Sequence, residues 1–245
     1  MKIIRYALLF ALLPITSTYA QFWIDAEAGI VFGTPYNKIS IPNTSGTRFD
    51  LGKEFDITPL AYYRLRLGYT FNDRHTITAL YAPLTATYEG TFDRVVNFNG
   101  QAFAAGQPVT ALYQFNSYRL TYRYRLVRTN RFRLGVGFTA KIRDADVRLM
   151  SDTQDTHFSN VGFVPLLNLL AEFRISERWQ ALMEADALAG GPGRAEDVFL
   201  GLGYQLGPRW GLRAGYRVVE GGADVESVYN FTWINYAALG ATVRF

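Results

Sequence analysis

The segment from Ser117 to Leu126, SYRLTYRYRL, places tyrosine or leucine at every second position and mostly arginine or threonine between them. Successive side chains of a β-strand point to opposite faces, whereas the apolar positions of an amphipathic helix recur every three or four residues. We therefore predict a strand with one charged and one apolar face. Such a strand suits a soluble barrel with its apolar face inside, or a membrane barrel with its apolar face towards lipid.

The first twenty residues favour export from the cytoplasm. Lys2 and Arg5 precede an apolar run over 6–15, and small residues follow that run. This layout is typical of a secretory signal peptide, and the apolar run is short for a membrane-spanning helix. We predict that residues 1–20 are a cleaved signal peptide and that residues 21–245 form one domain.

Composition excludes several classes of protein. The sequence has no cysteine, so it has neither disulfides nor thiolate metal sites. It has 25 basic and 21 acidic residues, and loss of Lys2 and Arg5 with the signal peptide leaves 23 against 21. This balance gives no reason to expect nucleic acid as a partner. Aromatic residues make up 16% of the chain, and the alternating period returns repeatedly, as in membrane β-barrels.

Alternation with period two predicts about ten strands. They are placed at 22–32, 57–71, 76–88, 117–126, 132–147, 161–175, 179–189, 198–204, 212–218 and 231–245. In the third strand, the residues that face outward are ambiguous, because both of its faces are moderately apolar and Pro83 interrupts its hydrogen bonding. We predict an all-β fold, a transmembrane antiparallel up-and-down β-barrel of ten strands, with eight or twelve strands as alternatives. A soluble exported barrel with its apolar face inside is the alternative fold.

The connections between these strands fall into two classes that alternate along the chain. Short turns, each ending in arginine followed by a ring, occupy 72–75, 129–132, 176–179 and 207–210. The other connections, mostly longer, are 33–56, 89–108, 148–160, 190–196 and 220–230. Short turns at one rim and long loops at the other are typical of outer-membrane barrels. Rings at strand ends favour the headgroup level, so Phe132, Trp179 and Trp210 are predicted to form an aromatic girdle.

The sequence ends in GATVRF, which includes Gly240, Val243 and the terminal Phe245. This ending resembles the C-terminal assembly signal of bacterial outer-membrane β-barrel proteins: a glycine, spaced hydrophobic residues and a final aromatic residue. The resemblance covers only the last strand, and valine stands where an aromatic residue is more usual. It implies the cell outer membrane of a Gram-negative envelope as the location. The partners it implies are the lipid bilayer, lipopolysaccharide and the outer-membrane assembly machinery.

The charged strand faces are predicted to line the lumen. This predicted network is Asp25, Glu27, Arg64, Arg66, Arg119, Arg123, Arg125, Arg133, Lys141, Arg143, Glu172, Arg174, Glu184, Asp186, Arg213 and Arg217, with Asp197 as a further acidic residue. Basic residues are in excess, so an open path would favour anions. Charges in a narrow interior also need partners, so the same residues fit an ion-pair network that fills the barrel. Ten strands lie closer to filled barrels than to porins.

The predicted function is an integral outer-membrane barrel, either structural or porin-like for small solutes, with a small anionic solute as a possible ligand. No catalytic residue, metal site or cofactor is predicted. One alternative is surface binding through the long loops. There Phe92, Phe98 and Phe103 would extend the strands above the membrane or pack into the mouth as a plug.

The other alternative is a lipid-modifying enzyme. His157 lies in a polar loop near serine and aspartate residues, which are the components of a nucleophile and its base but are also common in solvated loops. The motifs of the ten-stranded omptin proteases cannot be matched to this sequence. Enzymatic activity is therefore an open question at this stage.

Overall fold

The computed structural model describes residues 21–245, and the predicted signal peptide over 1–20 lies outside the described residues. The elements are β1 (Gln21–Ser40), β2 (Phe49–Asp50), α1 (Leu51–Glu54), β3 (Phe55–Ile57), β4 (Leu60–Phe71), β5 (His75–Ala82), β6 (Thr85–Thr91), β7 (Val96–Phe98), β8 (Gln101–Phe103), β9 (Pro108–Arg128), β10 (Phe132–Met150), β11 (Asp155–Arg174), β12 (Trp179–Gly190), β13 (Gly193–Gln205), β14 (Trp210–Val225) and β15 (Val228–Arg244). In the part of the chain that is described, no helix is long and apolar enough to span a membrane.

Ten long strands close into a barrel. Each of β1, β4, β5 and β9 to β15 pairs antiparallel with a neighbour on both sides, and β1 pairs with β15 to complete the ring. The predicted ten-stranded antiparallel barrel is therefore confirmed. We call the end with the connections 72–74, 129–131, 175–178 and 206–209 the turn rim, and the opposite end the distal end.

Near the turn rim, apolar side chains face outward and charged ones inward. On β9, Tyr118, Leu120 and Tyr122 are exposed on the outer wall, while Arg119 and Thr121 are buried inside. Every strand of the barrel places apolar or aromatic side chains on this wall, including Ile30, Leu65, Ile77, Leu120, Phe138, Phe163, Trp179, Leu200, Leu212 and Leu239. Soluble monomers seldom expose a continuous apolar belt of this size. The belt therefore identifies the surface that contacts lipid.

Towards the distal end, the polarity of the same strands reverses. The inward positions of β9 become Val109, Ala111 and Tyr113, all buried, while Thr110 and Gln114 face outward. An apolar inner face with a polar outer face is what a strand surrounded by water requires. The change on β9 occurs close to Ser117, which leaves about ten residues for the lipid-facing part, the length expected of a tilted transmembrane strand.

An apolar core fills the distal end of the barrel. We call it the distal core; its most deeply buried members include Ile39, Ile41, Phe49, Leu51, Tyr88, Phe92, Val96, Phe98, Phe103, Ala111, Tyr113 and Leu149. Asp50 caps the N-terminus of α1, and its carboxylate accepts hydrogen bonds from the backbone amides of Gly52 (3.1 Å) and Asn37 (2.7 Å). The hairpin β7–β8 and the segment 41–57 thus lie across the mouth as a packed layer.

Several predicted boundaries are wrong. The predicted loops 148–160, 190–196 and 220–230 are tight hairpins with turns at 151–154, 191–192 and 226–227, because their strands continue beyond the membrane with the opposite polarity. Most of 33–56 and 89–108 belongs to strands, to α1 or to the distal core. The predicted third strand is divided into β5 and β6 at Pro83, whose nitrogen cannot donate a hydrogen bond to the sheet.

Candidate functional site

The charged interior is organised around Asp197 on β13. Its carboxylate accepts from Arg64 on β4 at 2.8 Å, from Arg119 on β9 at 2.7 Å and from Arg217 on β14 at 2.5 Å. All four side chains are buried. One carboxylate therefore ties three separate parts of the barrel wall together.

A second centre lies on β1. Glu27 accepts from Arg217 and Arg213 of β14, each at 2.8 Å, and Tyr62 donates its hydroxyl to the same carboxylate at 3.3 Å. Asp25, two residues earlier on the same inward face, accepts from Arg213 and from the hydroxyl of Thr242. These contacts reach across β15, which carries little charge of its own.

A third group of contacts crosses the lumen. Glu184 on β12 accepts from Arg66 and Arg123, each at 2.9 Å. The neighbouring inward residue Asp186 accepts from Arg119 at 2.7 Å and from the amide of Asn168, also at 2.7 Å. The contact between Arg66 and Glu184 spans the full width of the barrel, because β4 and β12 are on opposite sides of the ring.

These residues form one connected set, which we call the polar plug. Its members are Asp25, Glu27, Arg64, Arg66, Arg119, Arg123, Glu184, Asp186, Asp197, Arg213 and Arg217. Six arginines face five carboxylates, so the plug is close to neutral. Buried charges are stable only when they are paired and hydrogen-bonded, and here the pairing is nearly complete.

Lys141 and Arg143 lie at the distal side of the polar plug on β10. Lys141 is only 3% exposed, and its Nζ lies 4.6 Å from the ring centroid of Phe115. Within residues 21–245 it has no carboxylate within 4.0 Å. Arg143 donates to the side-chain oxygen of Asn160. Both residues face inward, at the level where the charged interior meets the distal core.

The remaining predicted lumen residues lie at the turn rim. Arg125, Arg133, Glu172 and Arg174 line a cavity of about 650 Å³, which we call the vestibule. The vestibule reaches the short turns, since residues of 72–74, 175–178 and 206–209 also line it. The predicted set is therefore divided between a nearly neutral plug at mid-depth, a basic vestibule at the turn rim, and Lys141 and Arg143 on the distal side of the plug.

The predicted girdle residues lie at the turn rim as well. Trp179 and Trp210 are about half exposed, and Phe132 is partly buried at the start of β10. The ring of Trp179 lies 4.8 Å from that of Tyr204. At the end of the chain, Phe245 is exposed and its ring lies 5.8 Å from that of Phe22.

Gly240 and Val243 belong to β15, the strand that closes the barrel against β1. Gly240 lies beneath the guanidinium of Arg213: a Cβ at this position would lie 2.6 Å from the arginine Cζ. A larger residue at position 240 would clash with this guanidinium, which explains the glycine in the folded barrel. Its role in an assembly signal stays a prediction.

The two histidines have no serine partner in residues 21–245. His157 faces outward on β11, with Nδ1 3.1 Å from a carboxylate oxygen of Asp146, and no serine hydroxyl in residues 21–245 is hydrogen-bonded to it. His75 Nδ1 lies 2.8 Å from the hydroxyl of Tyr122 at the turn rim. No group of three or more His, Cys, Asp or Glu side chains in the described chain is arranged to hold a metal ion.

The central position of Asp197 could not be predicted from the sequence. Asp197 is the one carboxylate on the inward face of β13, whose other inward residues are mainly glycine and phenylalanine, so the sequence pattern of this strand did not indicate a charge centre. Thr139 and Asn168 were also missed, although both complete the hydrogen bonding of Asp186. Their inward position in the alternation was the available signal.

No protein-family model matches this chain, and no curated protein sequence matches it. Among solved structures, the chain is similar to the outer membrane protease OmpT from Escherichia coli, with a TM-score of 0.54 and 10% identity, covering 92% of this chain and 97% of that chain. The chain has the fold of a bacterial outer-membrane β-barrel protein. At this identity the similarity shows the fold alone.

Two further structures match with lower scores. The attachment invasion locus protein Ail of Yersinia pestis has a TM-score of 0.42 and 12% identity, covering 92% of this chain and 99% of that chain. The translocator domain of the autotransporter NalP from Neisseria meningitidis has a TM-score of 0.44 and 12% identity, covering 92% of this chain and 88% of that chain.

Proposed function

We propose that this protein is an integral outer-membrane barrel with a sealed lumen and a structural role, anchoring the rigid distal core above the membrane. The observation that carries the proposal is the ion pairing across the lumen, from Arg66 to Glu184 and from Arg64 and Arg119 to Asp197. These bonds occupy the section of the barrel through which a solute would pass. Of the two predicted roles, structural and solute-conducting, the geometry supports the structural one.

The proposed orientation places the turn rim in the periplasm and the distal end outside the cell. Both ends of the described chain, Gln21 and Phe245, lie at the turn rim, where the short connections also lie. Short periplasmic turns are the rule in outer-membrane barrels. The predicted signal peptide and the lipid-facing belt agree with this location.

Lipopolysaccharide is the lipid partner we propose for the outer leaflet. On the outer wall just beyond the lipid-facing belt, cations lie over rings: Arg48 over Tyr229 at 3.6 Å, Arg194 over Phe231 at 4.8 Å and Lys38 over Tyr36 at 5.3 Å. Tyr36 donates its hydroxyl to Glu220 at 2.6 Å, and burial together with this hydrogen bond raises the pKa of Tyr36 to about 12. Basic side chains among amphipathic rings suit phosphorylated sugar headgroups at this depth.

The lipopolysaccharide partner is tested by refolding with and without purified lipopolysaccharide, followed by native electrophoresis. Lys38→Ala combined with Arg48→Ala should weaken the shift caused by lipopolysaccharide. Lys53→Ala, which removes an exposed cation of α1 that does not lie over a ring in the described chain, is the control. An equal shift for all three proteins would contradict the partner.

The sealed lumen is tested by conductance in planar bilayers with refolded residues 21–245. We expect inserted protein to be silent in molar salt. Arg66→Ala combined with Glu184→Ala should stay silent as well, because Arg64 and Arg119 still bind Asp197 and the distal core still covers the mouth. Stable anion-selective steps from the unsubstituted protein, measured by reversal potential in a salt gradient, would contradict the sealed lumen and favour the solute-conducting role.

The packed distal core also supports the alternative of surface binding. Residues 41–57 and 92–103 form a fixed platform, because their rings pack together, with the Phe49 and Phe92 centroids 5.2 Å apart. Shortening these segments would remove the core itself, so this role is better tested with substitutions at exposed tips such as Asp93 and Val95. The surface-binding role would be favoured if such variants kept the fold but no longer bound an external partner at the cell surface.

A further inference from the structure

The vestibule is a basic chamber with more arginine than it can pair internally. Nine arginines line it, against five aspartates and glutamates. Its volume, about 650 Å³, is within the range of small-molecule sites in proteins. It opens at the turn rim and is bounded at depth by the polar plug.

The excess charge is concentrated on one wall. Arg125, Arg133 and Arg174 lie on the adjacent strands β9, β10 and β11, and all three line the vestibule. Glu172, the acidic residue beside them, reaches Arg133 only at 3.8 Å. Arg125 donates to the backbone oxygen of Asp73 at 2.6 Å, and in residues 21–245 neither Arg125 nor Arg174 has a carboxylate within 4.0 Å.

The strand register also places like charges side by side on this wall. Arg133 lies directly opposite Arg128 in the register of β9 and β10, and like charges in that position destabilise a sheet, although Asp73 compensates Arg128 at 3.2 Å. An anion between the arginines would reverse the sign of the interaction. Guanidinium groups bind phosphate and carboxylate in a bidentate manner, and an enclosed site strengthens the attraction.

We propose that the vestibule binds a small soluble molecule of the periplasm that carries two or more phosphate or carboxylate groups, held by Arg125, Arg133 and Arg174. Several anionic groups are needed to match a wall with three cations. A lipid headgroup is a poor match, because the arginines face the inside of the barrel and the lipid-facing belt is on the outside. The binding site itself does not depend on the proposed function. Only the side of the membrane from which the ligand enters rests on it.

The test is isothermal titration calorimetry of the refolded protein in an uncharged detergent at low ionic strength. The probes are pyrophosphate and citrate, which separate phosphate from carboxylate recognition. The test variant is Arg125→Gln combined with Arg174→Gln, and the matched control is Arg131→Gln combined with Arg209→Gln, two exposed arginines of the same rim that do not line the vestibule. Heat-modified migration in electrophoresis verifies that each variant is folded.

We expect saturable binding of at least one probe, weakened tenfold or more in the test variant and unchanged in the control. Absence of binding by both probes would overturn the site. Equal weakening in the test and control variants would also overturn it, because both lose two positive charges and the effect would then come from net charge alone. Binding in detergent does not depend on whether the lumen is sealed, so its failure is distinguishable from failure of the conductance test.

Discussion

Arg66 and Glu184 project from opposite walls of the barrel, and their Nη2 and Oε2 atoms are 2.9 Å apart. Their strands, β4 and β12, are equally distant in both directions around the ring. Two side chains can span the diameter because a barrel of about this strand number is narrow enough to be filled by side chains. The ion pair therefore acts as a strut across the barrel.

This strut should be visible as energetic coupling between distant strands. Arg66→Met or Glu184→Gln alone leaves the buried charge of the other residue without its ion-pair partner. In known cases this lowers the free energy of unfolding by about 3–5 kcal/mol. The double variant should be less destabilised than the sum, with a coupling of about 1–3 kcal/mol. Urea unfolding in lipid vesicles measures the free energy of unfolding of the unsubstituted protein, the two single variants and the double variant. The same cycle with Arg66 and Glu172, which do not interact, should be additive; additivity in both cycles would contradict the strut.

Asp197 should be the most sensitive single position of the polar plug. Asp197→Asn removes the charge that compensates Arg64, Arg119 and Arg217, and we expect a loss of about 3–5 kcal/mol in the free energy of unfolding. Glu196→Gln changes the adjacent, exposed carboxylate and should alter stability by less than about 0.5 kcal/mol. Equal unfolding curves for the two variants would show that Asp197 is not the centre of the network.

The membrane-spanning fold could be predicted because each lipid-facing strand carries the same local pattern. Alternation over Ser117–Leu126 determines which side chains face outward whatever the neighbouring strands are, so strand count and facing needed no knowledge of pairing. The predicted strands stop short of the distal end for the same reason. On β9, the residues numbered below 117 keep the alternation of period two, but their apolar side chains face inward. A search for outward apolar residues therefore ends at Ser117.

The partners of the charged residues could not be predicted in the same way. Which arginine meets which carboxylate depends on register and on distance across the lumen, and Arg66 and Glu184 are 118 positions apart in the chain. Counting all inward charges together suggested a basic lumen. The structure separates them into a balanced plug and a basic vestibule, since Arg125, Arg133 and Arg174 lie nearer the turn rim.

The change of polarity along β9 gives a matched test of the membrane boundary. Leu120 and Thr110 face outward on the same strand, one within the lipid-facing belt and one beyond it. Leu120→Arg should destabilise the inserted barrel by about 2–4 kcal/mol, because a cation near the middle of the bilayer loses its hydration. Thr110→Arg should change stability by less than about 0.5 kcal/mol. Unfolding from vesicles measures both, and a similar cost at the two positions would place the boundary elsewhere.

The distal core should unfold separately from the membrane part when one of its rings is removed. Phe98 is fully buried, and its ring lies 6.1 Å from that of Phe49. Phe98→Ala leaves a cavity whose cost is about 3–5 kcal/mol in well-packed cores. Because Phe49 directly follows the exposed Arg48, trypsin should then cleave after Arg48 on intact cells.

Val95→Ala is the control for this prediction, since Val95 is 57% exposed and its side chain adds little to the core. The control should resist trypsin like the unsubstituted protein, and the barrel of both variants should keep its heat-modified migration, because the lipid-facing strands do not include residue 98. If Phe98→Ala were as resistant as Val95→Ala, the segment around Arg48 would be held in place by something other than the packing of Phe49 on Phe98. If it lost the barrel as well, the distal core and the polar plug would form one cooperative unit, and the boundary near Ser117 would mark a change of solvent without a change of folding unit.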